Sequence, residues 1–408
     1  MSRSRLNRAA PVALALTLAS ACLTPTGAQQ RLLPRRTATI GPVFERWSFG
    51  SGLLQPAIDG SGSVALQSAA AWSLPIGGSV GFGERWTLDV STAYASGTVK
   101  LATVDPSLGR DEYSLSGLTD IHTRLTGRLF GDNVIATLGL NVPTGTTELD
   151  AEQFAALRVL GAPALAMQTP ALGTGVGGTA GIVVARQVGA WAWALGASYE
   201  LRQSYTPIAF ATNTAGPDVN PGDALHLTLG ADGLVGQNGM TLALSTDLFS
   251  KDALEPSASG TSAATVSTKL GPIFTVDWQL RVAAPRLREL TFYIVDRYRS
   301  AYERSEQRVD QSSGNYLDGG VRSVFPLSPT TGLLSVLNLR HQTGLKSDST
   351  LATAATAAGG VTFGVVKSFA QGYSVQPFVR GDFGKIRNVD ASVTATGLSA
   401  GISLGRQF

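Results

Sequence analysis

Few residues in this chain are of a type that does chemistry, and those few are widely spaced. There are three histidines, His122, His226 and His341, and a single cysteine, Cys22. No two histidines have metal-ligand spacing such as His-x-x-x-His, so no metal site and no cofactor is expected. No phosphate-cradling Gly-rich loop with its lysine occurs either. A Ser/His/acid set gathered from distant strands stays open as an alternative, but nothing local favours it, and no enzyme is expected. What recurs instead is charge at alternate positions. Asp120, Arg124, Arg128, Glu200, Arg202, Asp277, Arg281, Arg297, Arg299, Arg322, Arg340, Arg380 and Asp382 all fall on the polar face of alternating segments. Such groups around a lumen can set the sign and size of what passes. The plainer alternative is a salt-bridged network that stiffens a closed interior. The mixed signs argue against strong selectivity for anions or cations.

The segments that carry these charges alternate as β-strands do. In 268–282, Leu270, Phe274, Val276, Trp278, Leu280 and Val282 alternate with Lys269, Thr275, Asp277, Gln279 and Arg281. In 118–130, Ile121, Leu125 and Leu129 alternate with Asp120, His122, Arg124, Thr126 and Arg128. In 190–202, Trp191, Trp193, Leu195, Tyr199 and Leu201 oppose Ala192, Ser198, Glu200 and Arg202. The last stretch, Val393 to Phe408, sets Leu398, Ala400, Ile402 and Leu404 against Ser399, Gly401, Ser403 and Gly405, with Phe408 on the apolar register. A period of two puts each set on one face of a strand. In a transmembrane β-barrel the apolar face meets lipid, where Arg or Lys at mid-depth costs roughly 2–4 kcal/mol, and the polar face lines the lumen. A β-sandwich or lectin-like domain would bury the apolar face in a shared core instead.

The N-terminus reads as an export signal. Arg3, Arg5 and Arg8 precede an apolar core from Ala9 to Leu23, and Thr26-Gly27-Ala28 offers small residues for cleavage after Ala28. The apolar run is too short to span a bilayer. A lipoprotein signal around Cys22 is the alternative, although Ala19 stands where leucine is usual. Either way, the three arginines leave with the signal. The whole chain carries 32 basic and 29 acidic side chains, so the mature part is formally neutral and no nucleic acid partner is implied. Charged residues are only 15% of the chain, with 47 Gly and 3 Met.

Counting strands back from the C-terminus gives alternating long and short connections. On one side the connections fall at 51–61, 102–113, 144–172, 207–221, 250–262, 304–314, 344–356 and 387–391, mostly long, and on the other the short ones fall at 75–83, 131–133, 188–190, 236–239, 282–286, 326–331 and 370–372. The expectation is an all-β, antiparallel up-and-down transmembrane barrel of about sixteen strands, with short periplasmic turns and longer outer loops. Fourteen is the alternative, because Pro42 breaks the first strand, 38–50, which could be an edge piece. The domains are then a signal peptide at 1–28, a short periplasmic segment at 29–38 and a barrel at 39–408. Asp296 falls on the apolar register of 287–303, which a bulge or a place above the membrane would explain.

Three short segments carry a family resemblance. They are Leu140-Asn141-Val142-Pro143-Thr144-Gly145, Pro170-Ala171-Leu172-Gly173-Thr174-Gly175 and Asn220-Pro221-Gly222-Asp223-Ala224-Leu225-His226. With their order and sidedness they resemble the outer-membrane proteins associated with the meta-pathway of phenol degradation, a family similar to FadL-type transporters of hydrophobic compounds. The resemblance implies a bacterial outer-membrane location and passive uptake of small hydrophobic or aromatic compounds. Its partners would be outer-membrane lipid, the barrel-assembly machinery and small-molecule solutes. A general porin, or a structural barrel with an occluded lumen, is the alternative. The FadL group has a sizeable N-terminal plug; here only Gln29 to Ala38 precedes the first strand, so at most a minimal hatch is expected, which departs from a FadL-like gated mechanism.

In the longest connection, Phe154, Leu157 and Leu160 fall at helical spacing within Ala151 to Leu160. The helix either enters the mouth as a constriction and apolar binding platform or caps the rim. A sideways exit from such a platform needs a weakly paired wall, for which the Pro42 strand and Gly77 to Gly83 are candidates. Phe408, terminal and on the lipid register, is the expected assembly signal. Its deletion is expected to lower the amount of heat-modifiable barrel without reducing export across the inner membrane. Normal assembly after the deletion would refute that role.

Overall fold

The structure, a computed structural model, describes residues 37–407 apart from 57–62, 104–111, 131–132, 168–171, 208–217, 256–264, 345–350, 352–353 and 389–390. The export signal, nearly all of 29–38 and Phe408 lie outside the described residues. Among the described residues, sixteen antiparallel staves close into a barrel. Stave β1 comprises Thr37–Ile40 and Val43–Pro56; β2 is Ser63–Phe82 and β3 is Trp86–Thr103. Stave β4 comprises Glu112–Leu118 and Ile121–Leu129, β5 is Val134–Val142, and helix α1, Ala151–Leu160, follows it. Then come β6 (Gly177–Val188), β7 (Trp191–Arg202), β8 (Ala224–Val235), β9 (Asn238–Phe249) and β10 (Ile273–Arg281). The wall is completed by β11 (Glu289–Arg299), β12 (Gly314–Ser328), β13 (Thr331–Gln342), β14 (Ala355–Ser368), β15 (Tyr373–Arg387) and β16 (Ser392–Gln407).

Closure runs through β1. It pairs with β2 on one side and β16 on the other, so the chain leaves no free sheet edge at its ends. Pro42 offers no N–H, yet the ladder passes it. The Gly41 N–H donates to the Pro75 carbonyl at 3.2 Å, and the Ile402 N–H donates to the Pro42 carbonyl at 3.1 Å. The first strand is therefore a full stave. The expected turn at 75–83 is also corrected: β2 runs on to Phe82, and Gly77 pairs with both Thr39 and Ser91. The turn is shorter, around Gly83 at φ +59°. Neither expected weak spot in the wall is weakly paired.

Side chains alternate as the sequence pattern demands. Leu138, Leu195, Leu339, Phe363 and Phe383 are exposed on the outer face, while their neighbours along each stave point inward. Stave β11 has no bulge at Asp296; its register is unbroken from Thr291 to Arg299 against both neighbours. Asp296 thus stays on the outward register with exposed Phe292, Ile294 and Tyr298. Leu270 departs from the outward set. It is buried with Ala224, Phe249 and Ile273 at the outer end, because the outward strand breaks after Lys269.

Some long connections contain strands of their own. Asp218–Asn220, Lys251–Glu255, Val266–Lys269, Glu303–Arg304 and Gln307–Arg308 form a small five-stranded sheet at the outer end. Lys251 Nζ meets Glu306 Oε1 at 2.8 Å, which raises the lysine pKa and lowers that of the glutamate. Asp252, buried beneath, accepts the Gly222 N–H, and burial pushes its carboxyl up.

The largest apolar cluster lies inside the barrel. Helix α1 starts on a reciprocal cap, with the Gln153 N–H donating to Asp150 Oδ1 at 2.7 Å and the Asp150 N–H donating to Gln153 Oε1 at 3.1 Å. It ends where the Gly161 N–H reaches the Leu157 carbonyl at 2.8 Å. Phe154, Ala155, Ala156, Leu157, Val159 and Leu160 are all buried, which suits an inserted helix rather than a rim cap. They pack with inward-facing Trp47, Ala69, Ala71, Ala95, Val99, Leu115 and Ala395 of the wall. Small wall residues make this approach possible. A Cβ on Gly97 would lie 2.3 Å from Leu160 Cδ1, and one on Gly117 would lie 3.1 Å from Leu172 Cδ1. Gly97→Val is expected to lift α1 off the wall, at a cost of about 1–3 kcal/mol. Proteolysis within 143–167 should speed up while the barrel itself stays heat-modifiable; unchanged cleavage would contradict the packing argument.

Candidate functional site

The inserted segment is tied to the wall at one interruption in stave β4. Above it, Ala95 of β3 pairs with Gly117; below it, Ser91 pairs with His122. The two registers differ by one residue, so β4 holds a bulge at Thr119 and Asp120. Thr119 patches the gap, its Oγ1 accepting the Ala93 N–H at 2.8 Å. The parity of the stave flips there. Leu115 points inward above the bulge, and Arg124 points inward below it.

Asp120 is the clasp. It is only 2% exposed, and both its oxygens are engaged. Oδ1 accepts the Gly145 N–H at 2.9 Å. Oδ2 accepts the Thr174 N–H at 2.8 Å, the Thr174 hydroxyl at 3.2 Å and the Asn141 side-chain amide at 3.0 Å. Thr144 adds an Oγ1 that accepts the Ile121 N–H at 3.0 Å. Both ends of the inserted loop are thus held by one carboxylate. Asn141, Thr144, Gly145 and Thr174 come from the Pro-Thr-Gly and Gly-Thr-Gly segments singled out in the sequence. Asp120 was expected to line the lumen; it is consumed by backbone donors instead.

A second attachment joins the loop to β13. Arg340 on β13, 5% exposed, donates to the Leu165 carbonyl at 3.4 Å and to Asp382 Oδ1 at 3.3 Å, and lies 5.7 Å from the Trp47 ring centroid. Asp382 also takes a two-pronged bond from Arg380 at 2.8 and 2.7 Å. Nearby Asn338 donates to Asp318 at 3.4 Å. Gly360 gives this group its room, since a Cβ there would sit 2.6 Å from Asp382 Oδ1. Removing one partner of so buried an ion pair costs about 3–5 kcal/mol.

The remaining charges line the rest of the interior. Arg124 meets Asp89 at 3.1 Å with its side chain still 53% exposed. Arg128 donates to the Glu84 carbonyl at 2.6 Å, at the short-turn end. Glu200 and Arg202 bond each other at 3.1 and 3.0 Å. His226 bridges Asp247 at 2.7 Å and Glu200 at 3.3 Å. Asp277 is buried and accepts from Gln279 at 3.4 Å, while Arg281 is exposed. Arg297 lies between Thr275 and Tyr316 across the wall, Arg299 donates to the Ser312 carbonyl at 3.4 Å, and Arg322 pairs with Glu289 at 3.1 Å. Asp89, Asp247, Asp318 and Asn338 were missing from the sequence-based set. Their signal was the same alternation, in strands whose partners could not be read from one segment. Among the described residues no group of three or more His, Cys, Asp and Glu could hold a metal.

Phe154, Leu157 and Leu160 were expected to line an apolar pocket. Their surfaces are covered by the wall, at 3%, 5% and 0% exposure, so they pack the loop in place rather than present a platform.

Closure without a sheet edge, an apolar outer face and charge turned inward are together the solution a spanning β-structure must adopt in lipid. The chain is a β-barrel of the bacterial outer membrane. No family model matches it, and no curated protein matches it. Solved structures give weak overall matches. OprB of Pseudomonas putida has a TM-score of 0.47 at 12% identity, covering 92% of this chain and 94% of that one. A FadL homologue from Pseudomonas aeruginosa gives 0.42 at 9%, covering 92% and 90%. An outer membrane channel from Pseudomonas putida F1 gives 0.36 at 12%, covering 95% and 100%. At these identities and scores the likenesses carry no argument about this chain.

The clasp can be tested directly. Asp120→Ala would strand the Gly145 and Thr174 amides, at about 1–3 kcal/mol for a buried unpaired group. Hydrogen exchange at those two amides is expected to accelerate, with Asp120→Asn intermediate because it keeps one acceptor. Unchanged exchange in the alanine variant would mean that the loop is held elsewhere.

Proposed function

We propose that this barrel is a passive channel for small solutes, narrowed by a fixed loop that fills one side of its outer half. The observation that carries this reading is the wet charge inside a closed wall. Arg124 points into the lumen with half its side chain exposed, and His122, Asp232, Gln279 and Arg281 are also exposed on inward registers. Charge kept solvated inside a barrel favours polar solutes and water. Coulomb interactions with the oppositely charged groups are then moderate, so passage is quick rather than tightly bound.

A second reading is uptake of small hydrophobic or aromatic compounds, as the family resemblance implies. One observation favours it: the apolar cluster around α1 reaches the wall beside the bulge in β4, where Leu118 is exposed outward and Leu115 and Leu172 lie behind it. An apolar compound could follow that seam into the bilayer. The occluded structural barrel is the remaining alternative.

Planar-bilayer recordings of the purified barrel discriminate these. Step conductance is expected for the wild type, and several-fold larger steps when 148–167 is replaced by a short Gly/Ser link. Absence of steps in both proteins would defeat the channel reading. Liposome uptake of a small aromatic compound, abolished by Leu118→Arg with conductance retained, would favour the second reading over the first.

A further inference from the structure

The outward-facing cations of the barrel are unevenly distributed. At the outer end of β15, Lys385 and Arg387 are exposed on the lipid-facing register, alongside exposed Phe383 and Val379 lower on the same stave. Lys385 pairs across the ladder with Thr394 of β16, and Phe383 pairs with Thr396. Thr396 in turn faces Ser48 of β1, and exposed Arg46 lies two residues from Ser48 on the same face, opposite Leu398. The three cations therefore flank a floor of small hydroxyl residues, Thr394, Thr396 and Ser48. Large apolar side chains, Phe383 at 64% and Leu398 at 53% exposure, adjoin the floor.

Several cations elsewhere on the outer face do have partners, although exposed Arg186 on β6 shows none among the described residues. Toward the outer end of β3, Lys100 has Glu112 at 3.8 Å. At the short-turn end of these same staves, Arg406 lies 4.6 Å from the Tyr373 ring centroid and Lys367 lies 5.3 Å from that of Phe369. Arg46, Lys385 and Arg387 have no such partner among the described residues. Two unpaired cations above an apolar face, Lys385 and Arg387, with Arg46 beside it, match an amphiphile with anionic groups over hydrocarbon chains. Each Lys or Arg near an anionic lipid surface adds favourable attraction, and Arg suits phosphate by its fork of donors.

We propose that Arg46, Lys385 and Arg387, with the hydroxyls of Thr394, Thr396 and Ser48, form a binding site for a phosphorylated lipid of the outer leaflet. Its phosphates lie on the cations and its acyl chains run down over Phe383 and Leu398. The site does not depend on what passes through the lumen.

The test uses barrels extracted from outer membranes in mild detergent. Native mass spectrometry and lipid phosphate per protein report what stays bound. Wild type is expected to retain lipid A, and R46Q/K385Q/R387Q to retain at least about ten-fold less while remaining heat-modifiable. K367Q/R406Q, at the opposite end, should retain as much as wild type. Should the triple variant fail to assemble, the wild type titrated with purified lipid A, intact or stripped of its phosphates, decides the matter: only the phosphorylated form should bind. Equal retention by the assembled triple variant would overturn the proposal. So would equal binding of the dephosphorylated lipid, displacement by inorganic phosphate at the lipid's own concentration, or a dimer of the chain in place of bound lipid.

Discussion

The structure depends first on the pairing of β1 with β16. In hydrocarbon every unpaired N–H and C=O costs several kcal/mol, so a sheet with an open edge is not available to a spanning chain. The seam is where this protein comes nearest to such an edge, since Pro42 removes one donor. Gly41 and Ile402 restore the ladder on either side of it. With the wall closed, outward and inward faces are defined everywhere, and the alternation of the sequence acquires its meaning.

Closure also creates the interior problem. A barrel of sixteen staves is wider than side chains alone can fill, in contrast to an eight-stranded one. This chain fills part of that space with its own longest connection and lines the rest with charged side chains. The packing is specific because the wall beneath α1 is made of alanine and glycine at the points of closest approach, Ala69, Ala71, Ala95 and Gly97. Where the loop meets β13, Arg340 joins it to an ion-paired group instead.

The barrel was legible in the sequence because each stave repeats the same two-residue rule over many positions, as β10 does from Phe274 to Arg281. The count of sixteen followed from connections of unequal length. Proline 42 and the glycines near 77 misled in the same way. Their local preference for a break is real, but pairing on both sides overrides it. The site was less legible. Phe154, Leu157 and Leu160 announced a helix, yet the residues that receive it are scattered from Trp47 to Ala395, and nothing local joins them. His226 and Asp247 meet for the same reason, through neighbouring staves rather than through spacing. Asp120 looked like one more inward charge. Its role depends on amides at Gly145 and Thr174, brought to it only by the fold.

The bulge in β4 has a consequence for how this lumen can vary. Because side chains alternate, one extra residue exchanges the two faces of everything beyond it. Above Thr119 the stave offers Leu115 to the interior, and below Asp120 it offers Arg124. The frontier between the apolar and the charged parts of the interior is thus drawn, on this stave, by chain length and not by composition. Sliding the extra residue along β4 would move that frontier without changing a single amino-acid type. Loops elsewhere can lengthen freely, but here an insertion or deletion of one residue turns the wall inside out.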